Sequence, residues 1–193
     1  MAPNYGPSTV TNGLMFCTDF ANVKSWSDPN SFNALNANQN YHYGSPVYTS
    51  NYGGGLSCNG NSFFAINETH NTDYITVLCI FSKSSETGTE DILYNKENSW
   101  EAKTDGGNLQ LAWYTSNQIW FWYDTGYDVT LNQPVFLTVA YNGNDVKTYI
   151  NGSLFHTRDY PDGGTMTQNS SYPKFNSRNS TKTTIQNAGD HVC

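Results

Sequence analysis

The chain has 193 residues, 9 basic against 16 acidic side chains, a formal net charge of -7, and only 13% charged residues beside 15% aromatic ones. That length suits one domain, since a single core serves chains up to roughly 250 residues, and the aromatic content excludes intrinsic disorder, which goes with few aromatics. No cluster of Lys and Arg offers the counterion-releasing surface that phosphate backbones need, which argues against nucleic acid as a partner.

From the N-terminus, Met1-Ala2-Pro3-Asn4-Tyr5-Gly6 lacks the basic and apolar regions of a signal peptide, so synthesis in the cytoplasm is expected. No apolar run approaches the roughly 20 residues that span a bilayer, so membrane insertion is not expected. Residues 24–55 are rich in Asn, Ser, Pro and Tyr with little alternation, and read as a loop-rich first half ending in Gly53-Gly54-Gly55. A short run at Leu56 to Ile66 follows. Tyr74 to Lys83, Glu90 to Asn95, Leu109 to Tyr114, Ile119 to Tyr123, Val135 to Tyr141 and Val146 to Ile150 are then β-branched or aromatic runs of strand length, many with period two. Asn142-Gly143 and Asn151-Gly152 tolerate positive φ and predict hairpin turns in a meander covering Val135 to Tyr160. Lys103 to Asn108 and Tyr114 to Gln118 close two more hairpins on the same reasoning. Strands recurring about every ten residues indicate a sandwich or barrel. The tail from Thr165 to Asn187 is polar and weakly patterned.

Alternation also assigns faces. In the run Leu109 to Tyr114, Leu109, Leu111 and Trp113 belong inward, with Gln110, Ala112 and Tyr114 outward. In the run Ile119 to Tyr123, Trp120 and Trp122 share one face and Ile119, Phe121 and Tyr123 the other, and either set could be core. Cys17, Cys58, Cys79 and Cys193 show no CxxC pair and read as free thiols, with Cys79 buried; a Cys17–Cys58 disulfide is the alternative.

Asn4 to Trp26, Gly53 to Ile66, Asp73 to Ser85, Ile92 to Gly126 and Leu131 to Thr157 together resemble the laminin-G-like or concanavalin A-like domains, in the divergent form found in virion proteins of tailed phages. The resemblance implies an all-β, antiparallel, two-sheet jelly-roll sandwich forming one domain over residues 1–193. It also implies a closing strand of the type Gly-x-Ile-x-x-Val-x-Ile-Tyr-Asn beside the first one. Nothing in this sequence matches that pattern, and Val192 and Cys193 fall where it would begin. An incomplete C-terminal strand implies a truncated chain, a shortened fold, or an open edge filled by another subunit, and an open edge predicts pairing with a neighbouring subunit or virion protein.

Related jelly rolls include glycan hydrolases, which need paired carboxylates. The Glu-x-Asp-x-x-Glu arrangement is absent. Glu97 and Glu101, if extended through Trp100, stand about 13 Å apart, too far for a retaining pair. Glu86, Glu90 and Asp91 read as solvated carboxylates in a turn. His42, His70, His156 and His191 are isolated and read as surface imidazoles. His156, Arg158 and Tyr160 are the only Tyr/His/Arg grouping of the kind a lyase uses, and they read as the polar side of a solvent-facing strand. No enzyme is expected, and no cofactor, although the resemblance makes calcium plausible, with Asn67 to Asp73, Asp124 to Asp128 and Asn142 to Asp145 read as candidate loops and Asp124 and Asp128 as the candidate ligands.

Glycan binding is better supported, because sugars stack on exposed aromatic rings while amides bond their hydroxyls. The candidate contacts are Tyr41, Tyr43, Tyr48 and Tyr52 in the loop-rich half, with Tyr114, Trp120 and Trp122. The resemblance therefore implies a non-enzymatic virion surface component, a capsid decoration or tail-fibre part that is oligomeric or assembly-bound and contacts host or environmental glycans. A carbohydrate-active enzyme acting on host surface polysaccharide and a free lectin are the alternatives.

Overall fold

A computed structural model describes residues 26–28, 31–34, 37–43, 47–50, 55–59, 62–66, 69, 71–85, 90–160, 163–178 and 190–192. Among them there are sixteen strands and no helix, in two antiparallel sheets. The larger sheet runs, edge to edge, β1 (Trp26–Asp28), β2 (Ser31–Ala34), β3 (Ala37–Tyr43), β6 (Phe63–Ala65), β15 (Lys174–Phe175), β8 (Asp91–Lys96), β9 (Trp100–Asp105), β10 (Asn108–Thr115) and β11 (Gln118–Asp128). The smaller runs β14 (Ser153–Asp159), β13 (Asp145–Ile150), β12 (Val135–Tyr141), β7 (Ile75–Lys83), β16 (Asp190–Val192), β5 (Gly55–Asn59) and β4 (Val47–Thr49).

Period-two alternation builds the space between the sheets. Val135, Leu137, Val139 and Tyr141 of β12 are buried while Phe136 is exposed. Across from them Leu109, Leu111 and Trp113 of β10 face the core with Trp100 and Ala102 of β9. Burial of a large apolar side chain of this kind stabilises by about 1.5–3 kcal/mol. The turns form as their chemistry dictates. Asn151 and Gly152, at φ 51° and 82°, make the tight β13–β14 turn, and Asn142 Oδ1 accepts from the backbone N–H groups of Asn144 and Asp145 before β13.

Three expectations change. Much of the first half is strand: β1 to β4 lie within residues 24–55, because Asn- and Ser-rich chain pairs through its backbone whatever its side chains. A short strand is also present among the C-terminal residues. Asp190–Val192 pairs with Ser57, Cys58 and Asn59 of β5 on one side and with Ser82 and Lys83 of β7 on the other. The edge expected to be open there is filled, by three residues with no apolar pattern to announce them. Finally, β9 carries Glu101 and Lys103 inside a strand that hydropathy did not mark.

The middle of the larger sheet is buried on both faces, with Asp91–Lys96 and Trp100–Thr104 inaccessible throughout. Asp91 is thus not a solvated turn carboxylate. It meets Lys83 of the opposite sheet at 2.7 Å, and Lys83 Nζ also donates to Thr104 Oγ1 at 2.8 Å. Both charges are almost fully desolvated, so each depends on the other. Among the described residues no helix is long and apolar enough to cross a membrane.

Removing one member of this inter-sheet pair leaves an uncompensated charge in the core. Asp91→Ala is expected to lower unfolding stability by about 3 kcal/mol, whereas Lys83→Met combined with Asp91→Leu recovers most of the loss. Urea unfolding of the three proteins checks this, and equal midpoints for the single and double variants contradict it.

Candidate functional site

The outer face of the larger sheet gathers the aromatics that alternation left unassigned. Leu111 pairs with Tyr123, Ala112 with Trp122, and Trp113 with Phe121, so Trp120 and Trp122 share the outer face with Gln110, Ala112 and Tyr114. The rings form a run. Tyr114 meets Trp120 edge-on at 6.1 Å, and Trp120 lies tilted against Trp122 at 5.8 Å. Trp122 is 37% exposed, and Tyr114 and Trp120 are partly exposed. Gln110 and Asp124 sit opposite each other beside them, supplying hydrogen-bonding groups at the rim.

Charged groups floor the same face. Lys103 Nζ lies 4.3 Å from the centroid of a Trp122 ring and the Arg178 guanidinium 5.6 Å, both within cation–π range. Arg178 Nε donates to Glu101 Oε2 at 2.8 Å and its Nη2 to Glu101 Oε1, while its Nη1 reaches Glu90 Oε2 at 2.7 Å. Lys103 pairs with Glu90. Asn95 Nδ2 donates to Glu101 from the neighbouring strand. Arg178 is aimed by Asn176, whose N–H donates to the Leu93 carbonyl and whose side-chain amide donates to the Ser62 carbonyl at 2.6 Å. At φ 60°, Asn176 turns the chain after β15 back over the sheet.

The two carboxylates sit in different fields. Burial raises the pKa of Glu101, and the hydrogen bonds and charge of Arg178 offset only part of that. Burial acts in the same direction on Glu90, but hydrogen bonds from Lys103 and Arg178 overcome it and hold the carboxyl below its usual range. Further along the face Lys174, opposite Asn95 in register, is fully buried with Nζ 4.8 Å from the Phe63 ring centroid, and burial pushes its ammonium down to about 8.

The candidates therefore separate. Tyr114, Trp120 and Trp122 come together. Tyr41 and Tyr43 lie in β3, as backbone partners of Ala65 and Phe63, and Tyr48 lies in β4, so these three belong to strands and not to loops. Tyr52 lies outside the described residues, as do Cys17, Cys193, His70 and Glu86. Asp124 and Asp128 sit on β11, not in a loop, and Asp124 Oδ1 already accepts from the Gly126 N–H at 2.7 Å. Among the described residues no three His, Cys, Asp or Glu side chains gather as a metal site.

Sequence reasoning set Glu90 in a solvated turn and Glu101 on one segment with Glu97, and it missed Asn95, Lys103 and Arg178. Glu97 and Glu101 are not on one extended segment, because residues 97–99 turn with Asn98 at φ 54°. The alternation of Trp100, Ala102 and Thr104 with Glu101 and Lys103 was the available signal for β9. Nothing local announces Arg178, which stands 77 residues from Glu101.

Residues 58–186 match the family described as the concanavalin A-like lectin/glucanases superfamily, of laminin G type. No curated protein sequence matches the chain. Among solved structures, it is similar to the binding domain of Paraclostridial Mosquitocidal Protein 1 with a TM-score of 0.64 at 15% identity, covering 81% of this chain and 42% of that one. The receptor binding domain of botulinum neurotoxin mosaic serotype C/D gives 0.58 at 15% identity, covering 70% and 37%. The chain thus spans about two fifths of the toxin structures it matches. Domain 4 of AbnA, a GH43 extracellular arabinanase from Geobacillus stearothermophilus in complex with arabinotriose, gives 0.57 at 17% identity and covers 81% of both chains. At these identities the likeness shows the shared fold.

Arg178→Ala strands the buried Glu101 carboxylate and is expected to destabilise by about 3 kcal/mol near neutral pH. Glu101 holds its proton more tightly folded than unfolded, and more so without the guanidinium. The deficit therefore narrows as pH falls through the raised Glu101 range and the carboxyl takes up a proton. Glu90 narrows the gap as well, since its lowered pKa contributes stability that fades on acidification, and the share owed to Arg178 is present only in the wild type. Denaturant midpoints from about pH 7 to about pH 4.5 check this, and a gap that does not change with pH contradicts it.

Proposed function

The chain belongs to the concanavalin A-like lectin/glucanases superfamily, and from that premise we propose that it is a non-enzymatic glycan-binding module whose contact surface is the outer face of the larger sheet. The run of Tyr114, Trp120 and Trp122 is the observation that carries this. Three adjacent, partly exposed rings on one sheet face, rimmed by an amide and a carboxylate, match the chemistry of a saccharide, with apolar ring faces to stack and hydroxyls to bond. The charged residues support the rings: Lys103 and Arg178 lie within cation–π range of Trp122 and Trp120 packs against it.

The absence of catalysis is part of the proposal. Glu90 and Glu101 are both bound by one guanidinium, and a carboxylate held in that way is poorly placed to protonate a leaving group or attack a sugar carbon. One observation favours the enzymatic alternative: the Glu101 and Glu90 proton affinities are displaced in opposite directions, as in acid/base pairs. The kinds of binding named for the similar structures, a receptor binding domain and a domain holding arabinotriose, agree with the binding reading.

The setting we propose is the surface of a tailed-phage virion, with synthesis in the host cytoplasm, following the resemblance of the segments quoted above. A contact with a neighbouring virion protein is supported by the outer face of the smaller sheet, where Leu78, Ile80, Phe136 and Leu154 are exposed. That face replaces the C-terminal edge as the candidate for assembly.

On an array of neutral oligosaccharides the protein is expected to bind. Trp120→Ala and Trp122→Ala are expected to weaken that binding about tenfold each, the effect of losing one stacking ring, without lowering thermal stability by more than a few degrees. Incubation with the bound sugars is expected to release no reducing ends. Release that stops in Glu101→Gln establishes the enzyme instead.

A further inference from the structure

The edge strand β11 has a second face. Phe121, Tyr123 and Tyr127 alternate with the outer aromatics and point back between the sheets, toward β14 on the edge of the opposite sheet. Phe121 meets Tyr160 edge-on at 5.6 Å, Tyr123 stacks on His156 at 5.5 Å and 26°, and Tyr127 meets Phe155 edge-on at 5.3 Å. These pairs form a seam along one side of the sandwich. His156 is thus not a surface imidazole but half-buried within the seam, while the other residues of β14 stay exposed.

Inside the seam, four polar atoms are buried with no hydrogen-bond partner: Tyr123 Oη, Tyr160 Oη, Thr148 Oγ1 and His156 Nδ1. Thr148 is 0% and Tyr160 4% exposed. They converge on one place. Thr148 is the register partner of His156, and Tyr123 feels the Tyr160 phenol, the Thr148 hydroxyl and the Arg158 charge, although its hydroxyl and that of Thr148 do not meet in hydrogen-bond geometry. Buried polar groups are almost always satisfied, so four together call for an occupant that supplies partners. Arg158 stands at the mouth, opposite Val146 in register, exposed and without an ion pair among the described residues. Phe121 and Phe155, at 37% and 46% exposure, complete the rim.

Two phenols, a hydroxyl and an imidazole that donate and accept, stacked aromatic walls and an unpaired guanidinium fit a ring bearing both hydroxyls and a carboxylate. We propose that the seam between β11 and β14 is a second binding site, taking a carboxylated sugar unit whose carboxylate pairs with Arg158 and whose hydroxyls bond Tyr123, Tyr160, Thr148 and His156. The site rests on the glycan-binding reading and extends it. Among the described residues β11 is the last strand of its sheet, so one glycan chain passes around its edge, neutral units on Trp120 and Trp122, an acidic unit in the seam. Entry parts the stack of Tyr123 on His156.

The test compares a galacturonate trisaccharide with the same trisaccharide after reduction of its carboxyls to alcohols, by calorimetry and by the NMR signals of the His156 ring. Wild type is expected to bind the acidic form at least tenfold more tightly, the scale of a charge-assisted hydrogen bond, with the His156 signals shifting. Arg158→Gln, at an exposed position, is expected to fold normally, bind the reduced form unchanged and lose the preference. Equal binding of the two forms, a preference that survives in Arg158→Gln, unmoved His156 signals, or no binding at all overturns the seam site and leaves ordered water as its occupant. Trp122→Ala distinguishes the readings: acidic binding and Arg158 dependence that persist undiminished there sink the outer-face reading while the seam stands.

Discussion

Charge taken out of water in the middle of the larger sheet is the constraint on which the rest depends. β8 and β9 have both faces buried, so every ionised group they carry must find a partner or give up its charge. On the core side the partner is Lys83, reaching from the opposite sheet to Asp91 and Thr104. On the outer side it is Arg178, brought back over the sheet by the turn at Asn176 to hold Glu101 and Glu90. The first link fixes how the sheets meet. The second fixes the floor beneath the exposed aromatics. A packed apolar strand pair would stabilise as well or better, but it would not place a cation against Trp122.

That arrangement gives β11 its character. Among the described residues it is an edge strand with one flank unpaired, while both its faces carry aromatics. One set is anchored from below by Lys103 and Arg178, and the other closes the sandwich against β14. The superfamily fold supplies only the scaffold, since many chemistries share it and function lies in the particular side chains it displays. Here those are rings, amides and hydroxyls, with the strongly acidic groups already engaged.

What was legible followed from local rules. Hairpins at Asn142-Gly143 and Asn151-Gly152, the inward set Leu109, Leu111 and Trp113, and the recurring strands all express backbone permission and period two, which need no knowledge of distant chain. β9 was illegible because its pattern of Glu101 and Lys103 between Trp100, Ala102 and Thr104 is that of a half-solvated strand or a turn. β15 and β16, two and three residues long, are held by backbone pairing on both flanks, and such strands need no hydrophobic signature of their own. For the same reason the C-terminal strand was sought as an apolar pattern and missed.

By itself the sequence determined the fold class, the turns, the pairing of Trp120 with Trp122 on one face, and the presence of Tyr114 on a neighbouring outward position, because alternation and turn chemistry act between residues a few positions apart. Only the tertiary structure decided which aromatic set of β11 faces outward, that Glu90 and Glu101 share Arg178, that Lys83 crosses to Asp91, and that Tyr123, Thr148, His156 and Tyr160 meet in one seam. Each of these is set by desolvation and by contacts between segments up to 88 residues apart. No local pattern encodes the partner a buried charge will find; packing brings the two together, and the cost of leaving them apart keeps them there.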